Sequence, residues 1–177
     1  MNFEDGGKGL LIPVHKILCV GKYSGKIIRA GKVIEEFEDD NLVVNQGLNS
    51  ILNVQFNGAS QLTSWYLGIY QANYTPVATD TAATIAGNAT ESSGYTSATR
   101  PVWTPVASTA QSITNSASQA TFTFNTGLTI YGAFLVSSNT IGGVAGTLFG
   151  AALFGTPKAV VNTDQLLLTY TFNAASA

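Results

Sequence analysis

The side chains able to carry out acid–base or nucleophilic chemistry are few in this sequence. It has a single histidine, His15, and a single cysteine, Cys19. Catalysis needs titratable groups held together in tuned environments, and no hydrolase, phosphate-binding or dinucleotide-binding motif surrounds either residue. We therefore interpret His15 as an ordinary strand residue and Cys19, with its apolar neighbours, as a small buried side chain. The sequence predicts no catalytic residue and no enzyme.

Five acidic residues lie between positions 35 and 40 and form the densest group of candidate metal ligands. Carboxylates suit calcium, but the spacing lacks the Asp-x-Asp-x-Asp-Gly pattern of a calcium-binding loop. We favour the alternative that the run is a solvated turn, in which Asp39, Asp40 or Asn41 caps the helix that follows. The sequence thus predicts no metal site and no cofactor.

Arg100 stands alone as a basic residue in a long neutral stretch of the chain. An isolated guanidinium in such surroundings needs a carboxylate or carbonyl partner, and its planar fork suits a carboxylate. We expect a structural ion pair with Glu91, or as second choice with Asp164. Trp103 or Tyr95 is expected to pack on the guanidinium plane. The alternative is an exposed charge that serves only solubility.

Several aromatic side chains are of the kind that stacks on sugar rings. These residues are Trp65, Tyr66, Tyr70, Tyr74, Tyr95 and Trp103. Aromatic side chains also dominate protein cores and protein–protein interfaces, because each buries a large apolar area. We favour core packing together with a protein interface over glycan binding.

Charge is distributed very unevenly along the chain. Thirteen of the eighteen charged residues lie in the first forty positions, and none lies between Pro101 and Pro157. Charged residues make up 10% of the chain, whereas soluble monomeric domains usually carry roughly a quarter. A net charge of −2 argues against nucleic acid as a partner, because phosphate binding relies on clustered Lys and Arg. The pattern is typical of a protein that lies against other protein.

Two segments bear on membrane insertion and secretion. Residues 133–154 are apolar and long enough to span a bilayer, but polar residues at 137–140 and three glycines indicate a loop between two strands. Near the start of the chain, Glu4 and Asp5 occupy the place of the basic region that begins a secretory signal peptide. We therefore expect a soluble protein without a membrane partner.

The charge boundary divides the chain into two predicted parts. Residues 1–40 are expected to form a charged N-terminal arm, flexible over its first dozen residues, and a β-hairpin. Two β-prone runs at 26–29 and 32–35 flank Ala30-Gly31, which suits a two-residue turn. Residues 41–177 are expected to form a neutral body.

One segment of the body has helical periodicity, and the rest alternates as strands do. Apolar residues recur at three- and four-residue spacing near 44–56, which predicts a helix, and a further helical turn is expected at 82–86. Because Pro101 and Pro105 cannot donate to a ladder, the strand between them belongs at a sheet edge. Strands are predicted at 64–70, 102–107, 120–125, 128–137, 147–154 and 165–172. The expected fold is mainly β, an antiparallel β-sandwich of jelly-roll or immunoglobulin-like type with one short helix.

Several short motifs of the body resemble those of small virion structural proteins of tailed bacteriophages. They are Asn-Leu-Val-Val-Asn-Gln-Gly-Leu at 41–48, Trp-Tyr-Leu-Gly at 65–68, Gly-Tyr at 94–95, Thr-Arg-Pro at 99–101 with Trp103, and Tyr-Gly-Ala-Phe at 131–134. In organisation the chain is similar to the capsid decoration, or cement, proteins of short-tailed phages. The resemblance implies a β-sandwich or jelly-roll body that clamps neighbouring capsid subunits and stabilises the shell.

This resemblance sets the expected function, partners and interface. The first expectation is a non-enzymatic decoration protein of the virion, assembled in the bacterial host cytoplasm, that binds the major capsid protein and itself as a dimer or trimer. The alternative is a tail- or fibre-associated module that binds a receptor or glycan through Trp65, Tyr74 or Trp103. A hydrolase of cell-wall polymers is disfavoured for want of an acid–base pair. The candidate interface residues are Lys26, Ile28, Arg29, Lys32, Trp65, Tyr74 and Trp103.

Overall fold

The computed structural model describes residues 3–5, 11–13 and 16–176, with side chains from residue 16 onward. It is mainly β, with 48% of residues in strands and 13% in helices, which confirms the predicted class. Phe3–Asp5 (β1) and Leu11–Pro13 (β2) pair antiparallel as a small separate sheet. His15 and much of the expected flexible arm lie outside the described residues.

The larger sheet has nine strands, all paired antiparallel, in the order β6-β5-β9-β10-β4-β3-β11-β7, with β8 also paired to β11. The helices α1 and α2 and a π-helical turn at Ala86–Thr90 connect the strands. The elements are β3 (Ile17–Arg29), β4 (Lys32–Val43), α1 (Asn45–Phe56), β5 (Trp65–Tyr70), α2 (Ala82–Ile85), β6 (Val102–Trp103), β7 (Ser112–Thr114), β8 (Ala120–Thr123), β9 (Leu128–Val136), β10 (Leu148–Val160) and β11 (Gln165–Ser176).

The β3–β4 hairpin turns at Ala30-Gly31, where both residues have positive φ, 49° and 76°. This is the turn geometry that matches the twist of two antiparallel strands, and glycine adopts it without strain. The hairpin is far longer than the runs at 26–29 and 32–35 that predicted it. Along β3, Tyr23 and Ile27 are fully buried while Lys22 and Lys26 are exposed, as the two-residue period of a strand requires.

The boundary expected at residue 40 falls inside β4, so the hairpin is part of the sheet that forms the body. β3 pairs with β11 over twelve residue pairs, and β4 pairs with β3 as far as Asn41 and then with β10 at Leu42 and Val43. The charge pattern could not predict that β3 pairs with β11 and β4 with β10. Strand pairing depends on backbone groups and register rather than on composition.

The helix expected near 44–56 is present as α1, but the expected cap is wrong. Asp39, Asp40 and Asn41 lie in β4, and the residue before the helix, Val44, makes no side-chain capping bond. Val44 N–H instead bonds to the carbonyl of Phe149. The acidic run is therefore a strand rather than a turn, since its backbone pairs with β3.

The two halves of the sheet meet at β4 and enclose one core. Tyr23 and Leu168 come from one half, Leu67 and Leu135 come from the other, and all four belong to the same buried cluster. A second, smaller cluster forms where α2 covers part of the opposite face, with Ile85 fully buried in it. Burial on both faces explains why β9 reads as an almost continuous apolar run.

The strand expected at 102–107 is much shorter than predicted, because only Val102–Trp103 pairs as β6. It does lie at the end of the sheet order, as its flanking prolines suggested. Beyond it, the N–H of Val106 bonds to the carbonyl of Thr114, the last residue of β7 at the other end of the sheet. The nine-stranded sheet is therefore nearly closed on itself.

Candidate functional site

The Arg100 guanidinium forms a two-pronged ion pair with Glu91. Arg100 Nε lies 2.7 Å from Glu91 Oε1, and one terminal nitrogen lies 2.7 Å from Oε2. The side chains of Arg100 and Glu91 are 1% and 2% exposed, so Arg100 is no surface charge. The ring that packs on the guanidinium is Phe134, 5.2 Å from ring centroid to guanidinium carbon. The expected stacking residues, Trp103 and Tyr95, lie in the core cluster instead.

This ion pair fastens the loop between β9 and β10. Arg100 donates to the carbonyls of Ser138 at 2.8 Å and Gly143 at 3.3 Å, and its backbone N–H donates to Asn139. Glu91 in turn accepts from the backbone N–H of Gly142 at 2.6 Å. Four hydrogen bonds from the guanidinium are thus made within the fold, and both carboxylate oxygens accept, which fits a structural role.

Asp164, the second partner considered for Arg100, pairs with Arg29. Two guanidinium nitrogens of Arg29 lie 2.9 and 2.7 Å from the two carboxylate oxygens, and Val161 N–H donates to the same carboxylate at 2.9 Å. The hydrogen bonds from Arg29 lower the pKa of Asp164 despite its burial, and the bond from Val161 acts in the same direction. The contact ties the turn of the β3–β4 hairpin to the turn between β10 and β11.

Lys158 is a buried cation that the sequence interpretation did not single out. Its side chain is 4% exposed, and its ammonium lies 2.7 Å from both Glu35 and Thr156 and 4.8 Å from the centroid of the Phe37 ring. The usable signal was the two-residue period of β4, which places Glu35 and Phe37 on one face. The predicted run ended at residue 35, before Phe37, so the sequence alone did not bring these two residues to one face.

Asp80 is the remaining buried carboxylate of the body. It accepts hydrogen bonds from the Tyr74 hydroxyl at 2.8 Å, from Val77 N–H at 2.8 Å and from the Thr84 hydroxyl at 2.9 Å. These bonds hold the loop that leads into α2, where Thr81 and Thr84 form a capping box. Tyr74, a candidate interface residue, therefore has its hydroxyl committed to an internal contact.

All five charged side chains after Asp40 are buried. They are Asp80, Glu91, Arg100, Lys158 and Asp164. Consequently, no charged side chain is exposed among the described residues from 41 onward. The neutral sequence of the body becomes, in three dimensions, an entirely uncharged surface, which we call the neutral surface.

Four exposed charged side chains lie on the outer face of the β3–β4 hairpin and form two ion pairs. Lys26 lies 2.9 Å from Glu36, and Lys22 lies 3.2 Å from Glu38, with all four side chains well exposed. Such exposed pairs contribute about 0–1 kcal/mol each to stability. Of the other candidate interface residues in the hairpin, Ile28 is half-buried, and Arg29 and Lys32 are exposed.

Trp65 and Trp103 line a groove of about 290 Å³ at one end of the core, below α1. Ile51 and Val54 of the helix and Phe149 of β10 also line it. Trp65 is half-buried, whereas Trp103 is almost fully buried and donates from Nε1 to the carbonyl of Tyr170 at 3.0 Å. Trp103 therefore offers no free face for stacking on a sugar ring. Tyr70 and Tyr95 are buried in the core clusters, and Tyr66 is half-buried.

Three further observations define what the site contains. In the part of the chain that the structure describes, no three His, Cys, Asp or Glu side chains form a group able to hold a metal ion. The helices of that part are all too short or too polar to cross a membrane.

No protein-family model matches the chain, and a search of curated proteins found no significant match.

Proposed function

We propose that the protein is a non-enzymatic structural component of a tailed-phage virion, a capsid decoration protein that bridges subunits on the outer surface of the shell. Its partners are the major capsid protein and further copies of itself, as a dimer or trimer. It is assembled in the bacterial host cytoplasm and resides in the virion. We assign the body to the sandwich class on the strength of the two sheet halves that enclose one core.

The single observation that carries the proposal is the neutral surface. Free soluble domains keep roughly a quarter of their residues charged, mainly at the surface. Here every charged side chain after Asp40 is buried. A face of Thr, Ser, Asn and apolar residues is desolvated at lower cost than a face of Lys and Glu, so it suits extensive contact with another protein.

The charged face of the hairpin is a weaker candidate than the neutral surface for contact with the capsid. Lys26 and Lys22 are already paired with Glu36 and Glu38 on the same face. Docking through this face would compete with those pairs and would weaken as salt increases, because exposed charges are screened within about 8 Å at physiological ionic strength. The salt dependence of attachment therefore distinguishes the two faces.

The test is reattachment of purified protein to virions that lack it, followed by sedimentation of the particles at increasing salt. We expect attachment that persists at high salt and a copy number comparable with that of the major capsid protein. A charge placed on the neutral surface, as in Thr121→Glu, should weaken attachment at least tenfold. Lys32→Gln, on the hairpin, is the matched control and should attach normally.

The hairpin would be the contact surface if attachment were lost at moderate salt, with a strong defect in Lys32→Gln and none in Thr121→Glu. Failure of the wild-type protein to bind shells under any condition would overturn the decoration role. A copy number typical of a tail component would favour the alternative, a tail or fibre module. One observation favours that alternative, namely the groove in which Trp65 remains half-buried.

A further inference from the structure

Asn57 and Gly58, directly after α1, form the one Asn-Gly pair in the chain. Asparagine is a chemically labile residue, because its side-chain amide lies within reach of the backbone nitrogen of the next residue. Glycine leaves that nitrogen accessible, since it has no Cβ to crowd the approach and adopts more backbone conformations than other residues. The pair therefore carries a latent reaction, and the fold decides whether the reaction proceeds.

The structure leaves both reacting groups free. Asn57 and Gly58 are exposed, and the Asn57 side chain makes no hydrogen bond within the described part of the chain. The N–H groups of Asn57 and Ala59 both donate to the carbonyl of Asn53, at 3.0 and 3.1 Å, whereas the Gly58 N–H between them has no acceptor among the described residues. A Cβ placed on Gly58 would meet nothing within 4 Å, so the surroundings of the attacking nitrogen are open.

The pair lies where the helix ends. Gly58 has a φ of 66°, the left-handed conformation in which helices commonly end. Asn57 has a ψ of 13°, so its peptide must rotate before the nitrogen faces the side chain. Helix ends open at a free energy near zero, so this rotation leaves the core intact. Two other exposed asparagines lack this combination, because Asn49 lies inside α1 and Asn162 precedes the β-branched Thr163.

We propose that Asn57 is a site of spontaneous deamidation in the folded protein. The Gly58 backbone nitrogen attacks Cγ of Asn57, and the new N–Cγ bond forms as the Cγ–Nδ2 bond breaks. Nδ2 leaves with the Gly58 amide proton as ammonia. Water then opens the resulting cyclic imide at either carbonyl and leaves aspartate or isoaspartate at position 57. Water is the only co-reactant, and no group is oxidised or reduced.

The product changes the surface on which it forms. The reaction adds one negative charge to a chain of net charge −2, and this carboxylate becomes the one exposed charge among the described residues after Asp40. It lies at the carbonyl end of α1, where the last turn holds no basic residue to balance it. We therefore expect the modified protein to be less stable. The proposal goes beyond the virion role and does not require it.

The test is incubation of the purified protein at mildly alkaline pH, followed by ion-exchange chromatography and peptide mass spectrometry. We expect one acidic product, in which the peptide that contains Asn57 has exchanged an amide for a carboxyl group. Asn49 and Asn162 of the same molecules are internal controls and should remain intact. Asn57→Gln should form no acidic product in the same time, because the longer side chain closes a larger and less favoured ring.

A parallel incubation in guanidinium chloride separates the effect of the fold from that of the sequence. Because helix ends open easily, we expect folded protein to react at Asn57 at a rate within about tenfold of the rate in the unfolded chain. The product mimic Asn57→Asp should have a lower melting temperature than Asn57→Gln, since its carboxylate meets the carbonyl end of the helix.

Three results would overturn the proposal. They are an Asn57 that stays intact in the folded protein while it reacts in guanidinium chloride, an acidic product that persists in Asn57→Gln, and modification of Asn49 or Asn162 at the same rate as Asn57. Equal melting temperatures of Asn57→Asp and Asn57→Gln would contradict the expected effect on the helix end.

Discussion

At the scale of single residues, the molecule is organised by buried charges, each with its partners inside the fold. Arg100 meets Glu91, Asp164 meets Arg29, and Lys158 meets Glu35. Removing one partner of a buried pair leaves the other charge buried without a partner. The resulting loss of stability is larger than the net contribution of the intact pair. The isolated position of Arg100 in the sequence was sufficient to predict that it needed a carboxylate, and Glu91 was the first choice.

A double-mutant cycle measures the Arg100–Glu91 coupling. Arg100→Met and Glu91→Gln should each lower the free energy of unfolding by about 3–5 kcal/mol, because each leaves an unpaired buried group. The double variant should lose less than the sum, as measured by urea denaturation. The exposed pair Lys26–Glu36 is the control, with an expected coupling of about 0–1 kcal/mol. Coupling near zero for the buried pair would contradict its structural role.

The Asp164 carboxylate predicts a defined dependence of stability on pH. Its pKa is lowered in the folded protein by hydrogen bonds from Arg29, so the unfolded state binds the proton more readily. The stabilisation is complete above the ordinary carboxyl pKa, near 3.9, and is lost as the pH falls through the lower folded value. The difference in unfolding free energy between wild type and Asp164→Asn should therefore shrink as the pH falls below about 4. A difference that stays constant down to strong acid would rule this out.

At the scale of elements, backbone contacts between distant segments position what local patterns predicted. The helix α1 was predictable from its spacing of apolar residues, but its close packing against β10 was not. That packing depends on Gly47, where a Cβ atom would meet backbone atoms of Phe149. A glycine that weakens a helix locally here permits the close approach that closes one end of the core.

Gly47→Ala tests that close approach. Alanine would favour the helix by about 1 kcal/mol, but the added Cβ must displace the backbone of β10, at a cost of about 1–3 kcal/mol or more. We expect a net loss of thermal stability in a calorimetric scan. Gly87→Ala is the matched control, because a Cβ there meets nothing within 4 Å. A Gly47→Ala protein as stable as the wild type would show that α1 is free to shift.

At the scale of the whole molecule, the charged hairpin and the neutral body form one sheet. The concentration of charge in the first forty residues suggested a separable arm, and the strand order places β3 and β4 in the middle of the sheet. Lys22, Lys26, Glu36 and Glu38 are exposed on the outer face, while Tyr23 and Ile27 of β3 enter the common core. The exposed charged side chains of the described residues thus all lie at or before Asp40, and the described surface beyond it is neutral.

Deletion of residues 1–40 should therefore abolish the fold. It removes the partner of β11 over twelve residue pairs and most of β4, the strand that joins the two halves. We expect a protein without a cooperative thermal transition, followed by circular dichroism. A variant that begins at Lys16 keeps all nine strands of the large sheet and should unfold cooperatively. Cooperative unfolding of the shorter protein would mean that the body is independent.

The sequence by itself determined the β class, the helix α1, the turn at Ala30-Gly31 and the need of Arg100 for a partner, because each depends on local period or on composition. Only the tertiary structure decided which charges are exposed. The acids of β4 are divided between its two faces by strand pairing, and Lys158 is buried against Glu35, a residue distant in sequence. The groove likewise joins residues from α1 to β11. Burial is a property of long-range register, which no local pattern encodes.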